Sequence, residues 1–167
     1  ITPMIQRIQS IFLLLAAAAM ITTIFLPSWS FVDGEFQEVV SGLMIDGPVN
    51  DIAFNAHEDG SRNAFHMGFV GMMGLSGLLL LVTIFLFNDR KRQRTFAYLS
   101  VIPAMIGLVM LFLLTQNGPE MIATDAVSNP SFGVGLPVVG ILLAVLAARF
   151  IDKDQKLVDS LNSDRIR

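Results

Sequence analysis

Apolar residues in this chain are gathered into four long blocks separated by polar stretches. The blocks cover residues 8–26, 65–87, 96–114 and 133–151. A helix that crosses a bilayer needs about 20 mostly apolar residues, within a range of ~17–25. Each block meets that length. The apolar positions fill the blocks instead of recurring at the spacing of a one-sided soluble helix. The pattern predicts an all-α membrane protein: a four-helix transmembrane bundle forming one membrane domain over residues 1–167.

The connections differ in character. Residues 27–64 make a long loop with strand signals. Trp29-Ser30-Phe31-Val32 precedes Asp33-Gly34, a hairpin turn signal, and residues 36–40 read as the returning strand. Gly47-Pro48 marks a further turn, with a third strand expected over residues 49–54. A lone hairpin is marginal in water, so it is expected to rest on the helix ends, with Trp29 at the membrane interface. Residues 88–95 form a short basic loop, NDRKRQRT. Residues 115–132 form a second long loop, with turn chemistry at Asn117-Gly118-Pro119 and Asn129-Pro130 and a short interfacial helix expected over residues 120–126. In the tail, residues 152–167, the positions of Leu157, Val158 and Leu161 predict a helical extension or a surface helix lying on the membrane.

Charge then assigns sides. Lys and Arg are retained on the cytoplasmic side during insertion. Arg7, Arg90, Lys91, Arg92, Arg94, Arg149 and the four basic residues of the tail fall on one side, and Arg62 alone on the other. Nine acidic residues accompany Arg62 and five accompany the ten basic ones, which together make the chain's −3. Both termini and the loop 88–95 are therefore expected inside, and the loops 27–64 and 115–132 outside. Arg7, Arg90, Lys91, Arg92, Arg94 and Arg149 are the expected inner-face anchors, held by anionic lipid. The first block also has features of a cleavable signal, with Arg7 before it and small residues at 16–19. Its apolar run continues through Ile21, Ile24, Phe25 and Leu26, which favours an uncleaved helix.

Composition narrows the chemistry. Apolar residues make up 53% and charged residues 15%, against about 25% charged in an average soluble domain. Cysteine is absent, which excludes disulfides, thiolate nucleophiles and thiolate-bound metal or cluster sites. No ionisable residue lies near the centre of a block, so the usual mark of an ion or proton path is missing. Thr22, Thr23, Ser76, Thr83 and Ser100 are each expected to bond their own helix backbone. His57 and His66, with Glu58 and Asp59, lack diagnostic metal spacing. The acidic residues of the first long loop lack the calcium-loop pattern. The cluster 90–94 has no interleaved aromatic residues, so nucleic-acid binding is not expected. No catalytic, cofactor or metal site is predicted.

Small residues suggest how the helices pack. Gly68, Gly71, Gly74 and Gly77 recur every three residues, and Gly140, Ala144 and Ala148 every four. Such residues let helix backbones approach closely in lipid. The glycine stripe winds around its helix and is expected to meet more than one neighbour. Pro103 and Pro137 are candidate kinks, tolerated where neighbours satisfy the freed carbonyl.

The two ends carry a resemblance. Met4-Ile5-Gln6-Arg7-Ile8-Gln9-Ser10 before an apolar helix, and Lys153-Asp154-Gln155-Lys156-Leu157-Val158 followed by Asp164-Arg165-Ile166-Arg167, resemble the start and end of a family of four-span inner-membrane proteins of Bacteroidetes described as a domain of unknown function. The chain departs from that pattern at Asp152, Gln155 and Asp159. The resemblance implies a start at Met4, with residues 1–3 as an extension, and implies no activity. With both ends on one side, Arg7 is expected either to latch the tail through Asp152, Asp154 or Asp164, or to reach lipid phosphate.

The leading functional expectation is a non-catalytic accessory or scaffold subunit of a larger inner-membrane complex (respiratory, secretory or envelope), with other membrane subunits and lipids as partners. The alternatives are a lipid or small-molecule carrier using a glycine-lined groove, and a metal-dependent sensor or enzyme built on the outer loop.

Overall fold

A computed structural model describes residues 2–33, 36–41, 45–46, 60–87, 89–116 and 127–164. Four long helices carry the fold: α1 (Thr2–Phe25), α2 (Gly60–Phe85), α3 (Arg90–Gln116) and α4 (Gly135–Asp164). All four are long and apolar enough to cross a membrane. Between them lie β1 (Pro27–Asp33), β2 (Phe36–Ser41), β3 (Ile45–Asp46) and β4 (Val127–Pro130), and a 3-10 turn at Phe132–Val134 leads into α4. The helices form a ring in which α1 packs on α2, α2 on α3, α3 on α4 and α4 back on α1.

The helices run past the apolar blocks: α1 starts at Thr2, α2 at Gly60 and α3 at Arg90, and α4 takes in the tail as one of its two expected forms. The third helix starts at Arg90, not at residue 96, so the basic cluster forms its first turns instead of a loop. Asp89 makes this possible. Its carboxylate accepts the Arg92 backbone N–H at 3.2 Å, and its carbonyl accepts that of Gln93 at 2.9 Å, which is the role of a helix N-cap. The tail continues α4 to Asp164 as a helical extension.

The strands form one antiparallel sheet in the order β3-β2-β1-β4. The expected hairpin is present, paired from Pro27↔Ser41 to Asp33↔Phe36. Residues 34–35 lie outside the described residues, as do the expected third strand over 49–54 and the expected helix over 120–126. The strand β4 was not expected. It pairs Trp29↔Pro130 through Val32↔Val127 and so fastens the end of α1 to the start of α4. The Trp29 side chain packs against the helix core.

Buried positions recur at alternating steps of four and three on every helix. They include 9, 13, 16, 20 and 23 on α1; 69, 73, 76, 80 and 83 on α2; 93, 97, 100, 104, 107, 111 and 114 on α3; and 137, 140, 144, 147, 151 and 154 on α4, with Ala17, Gly77, Pro103 and Ala148 also buried and widening the seam. This is the 3.5-residue seam of left-handed bundles, where side chains interdigitate between nearly antiparallel helices. Small residues such as Ala16, Ala97, Ala104, Ala144 and Ala147 alternate there with large ones such as Leu13, Phe69, Met73 and Leu80. Other large apolar side chains, such as Leu14, Leu78, Phe112 and Leu142, point outward.

Pro103 sits in the seam of α3. It has no N–H to give and its ring crowds the preceding turn. The Ser76 hydroxyl of α2 donates across the interface to the Ser100 carbonyl at 2.8 Å, in that same turn. Ser76 therefore does not bond its own helix, as was expected of it. Ser100, Thr23 and Thr83 do, donating to the carbonyls of Ala97, Ala19 and Leu79. Pro137 stands in the first turn of α4, where no intrahelical N–H is needed, so it imposes no kink.

The glycines divide by what a methyl group would meet. At Gly77 and Gly140 it would come within 2.8 Å of Ile21 and Met20 of α1, and at Gly68 within 3.4 Å of Met110 of α3. The α2 stripe thus meets two neighbours as it winds. Gly71 faces open space. At Gly133 a methyl group would lie 2.5 Å from the Pro27 carbonyl oxygen, where backbone leaves no room to adjust. Gly133→Ala should lower stability by about 1–3 kcal/mol through overpacking, and Gly71→Ala should change it little; thermal melting of both variants in detergent checks the contrast.

Candidate functional site

Polar chemistry among the described residues is concentrated where α1 and α3 start and α2 and α4 end. At this basic end the seam closes on polar side chains in place of apolar ones. Gln9 of α1, Gln93 of α3 and Asp154 of α4 are all buried. Gln9 donates its amide to the Phe150 carbonyl at 3.3 Å, tying α1 to α4. The Arg90 guanidinium of α3 donates to Asp154 at 2.7 Å. Only 6% of the Asp154 side chain is exposed, against 30% for Arg90, so the pair is closed to solvent on its carboxylate side. Asp152 pairs with Arg94 of α3 and, at 3.2 Å, with Lys156 one turn along its own helix. Arg92 pairs with Asp89 at 3.0 Å.

The arrangement answers a problem set by the sequence. Four basic residues in the first turns of α3 oppose the positive end of its helix dipole. Asp89 from the preceding link and Asp152 and Asp154 from α4 supply the compensating charge. The tail carboxylates therefore tie α4 to α3. The side chains of Arg7 and Asp164, named in the expected latch, lie outside the described residues. Lys91 and Arg149 are exposed. Gln9 and Gln93 were missed in the sequence because they are polar residues at the ends of apolar blocks. Their spacing of four from Leu13 and Ala97 was the available signal.

Beside this cluster, between α1 and α4, is a cavity of about 300 Å³ lined by Ile8, Phe150, Lys153, Asp154 and Leu157. Phe12 stacks on Phe150 with ring centroids 5.5 Å apart and planes 18° from parallel, which stiffens one wall. The family model for a domain of unknown function, DUF4293, matches residues 5–166. The chain belongs to that family. The DUF4293 match takes in all four helices, the sheet and the basic-end cluster together. No curated protein matches the chain.

Other candidate positions do not come together. Among the described residues no three His, Asp or Glu side chains converge to hold a metal. His66 lies part-buried in the first turns of α2, and His57, Glu58 and Asp59 lie outside the described residues. At the sheet end, the Ser28 hydroxyl and the Trp29 indole N–H are buried without partners. Ser28 is the extra residue where the β1–β2 register shifts, and its carbonyl accepts the Ser131 N–H at 3.1 Å.

Removing one member of a buried pair leaves the other uncompensated, at a cost of about 3–5 kcal/mol. Arg90→Met should therefore destabilise the bundle strongly, Arg90→Met with Asp154→Leu should recover most of the loss, and Lys156→Ala should cost less than about 1 kcal/mol, as an exposed pair does. A double-mutant cycle on detergent melting curves measures all three.

Proposed function

We propose that this chain is a non-catalytic accessory or scaffold subunit of a larger complex in a bacterial inner membrane, with both termini in the cytoplasm. The observation that carries the reading is the filled seam. Side chains occupy the bundle axis along its length, and the polar groups within it bond carbonyls or neutralise one another. A solute path would require side chains or water along that axis that could exchange partners. The glycine faces that a carrier would use as a groove are occupied at Gly77 and Gly140 by Ile21 and Met20.

The outer surface supports the same reading. Met67, Gly71, Leu75, Leu78 and Val82 line one outward face of α2. Gly71 packs on nothing among the described residues, and an outward glycine lets a partner helix approach closely. The orientation rests on the basic cluster at one end, which matches the cytoplasmic bias of Lys and Arg.

Two experiments test this. Crosslinking in native membranes followed by mild-detergent purification should recover discrete membrane polypeptides with the chain, and Gly71→Leu should weaken that recovery; a strictly monomeric protein with no partner overturns the proposal. The chain contains no cysteine, so single introduced cysteines report topology directly. Ser131→Cys should react with a membrane-impermeant reagent in intact cells, and Ser160→Cys only after permeabilisation. The reverse pattern would invert the orientation.

A further inference from the structure

The cavity between α1 and α4 lies beside the ion-pair cluster but takes no part in it. Its walls are apolar, from Ile8, Phe150 and Leu157. Its polar lining is Lys153 and Asp154, and the Asp154 charge is already neutralised by Arg90. Lys153 is the cation that lines the cavity without an ion-pair partner among the described residues. Arg90, Arg92, Arg94 and Lys156 each have a carboxylate partner. Among the described residues Lys153 has none, and neither has Arg149. Arg149 stands four residues before Lys153 on α4, hence on the same helix face and about 6 Å nearer the apolar span. Both belong to the last turns of a span, Phe132–Val158, that is long and apolar enough to cross a membrane.

We infer that this crevice is a site for one anionic phospholipid, its phosphate held by Lys153 and Arg149 and one acyl chain seated against Ile8 and Phe150. Three features select that occupant. The site is amphipathic, with the Lys153 cation set among the apolar walls of Ile8, Phe150 and Leu157. Its net unpaired charge is positive, which favours an anionic headgroup over a zwitterionic one. The volume is at the small end of ligand pockets, which run about 300–1,000 Å³, and fits part of a lipid already anchored in the bilayer. The inference does not depend on the accessory role proposed above, since an isolated chain would bind lipid in the same way.

Native mass spectrometry of the full chain in detergent, titrated with phosphatidylglycerol and with phosphatidylcholine of identical acyl chains, tests the site. One phosphatidylglycerol should be retained in preference to phosphatidylcholine. Arg149→Gln with Lys153→Gln, both at exposed positions, should reduce that preference by roughly thirtyfold with an unchanged melting curve. Ile8→Trp, which fills the crevice from its exposed rim, should reduce retention of both lipids. Equal retention of the two lipids overturns the site, as does a preference that survives the double substitution. Competition by inorganic phosphate would reassign it to a free anion, and a dimer that Ile8→Trp dissolves would give the crevice to a second copy.

Discussion

Hydrocarbon offers a polypeptide backbone no hydrogen-bond partner, and the rest of this structure follows from that fact. Helices satisfy themselves within a span, whereas an open sheet edge does not. The chain accordingly keeps its sheet at the helix ends and its ladder outside the apolar spans. The one strong breach inside a span, at Pro103, frees the Leu99 carbonyl, and the Ser76 hydroxyl of the neighbouring helix bonds the next carbonyl along, that of Ser100. That bond also sets the position of α2 against α3, because a slide of one residue would take the donor away from its carbonyl.

The same medium relaxes the familiar arrangement of a core. Leucine and phenylalanine gain little by leaving lipid for protein, so many of them stand on the outside while Leu13, Phe69, Leu80, Leu111 and Leu114 are buried. What the interior rewards is close approach, and alanine, glycine and serine provide it. At the basic end, where water is near, the interior becomes polar. The buried Asp154 is retained there because α3 offers it Arg90. The helix dipole, the basic cluster and the α4 carboxylates thus form one electrostatic unit that joins the start of α3 to the end of α4, across 64 positions between Arg90 and Asp154.

Segment length and charge asymmetry made the four helices legible, since both are bulk properties of a stretch. The seam was not legible from hydrophobicity, because hydrophobicity does not distinguish inside from outside in lipid. The three-residue glycine repeat drew notice, yet it cuts across the seam, and only some of its members touch a neighbour. The periodicity that does lie inward joins residues as unlike as Gln9, Leu13, Ala16, Met20 and Thr23. The helix start at Arg90 was hidden because a cluster of cations reads as a loop until a cap such as Asp89 is recognised. Strand β4 could not be found locally, because Val127–Pro130 carries little strand signal and owes its form to the partner strand across the bundle. The hairpin, set by its own turn chemistry, could be.

The pairing of Trp29 with Pro130 has a consequence for how the molecule is born. About 100 residues separate these partners, which a ribosome making ~5–20 residues per second takes roughly 5–20 s to bridge. For that interval the first helix waits in the bilayer with one flank uncovered. Every copy of this protein must pass through a three-sided stage, and α4, translated after the other three helices, is the one that shuts it.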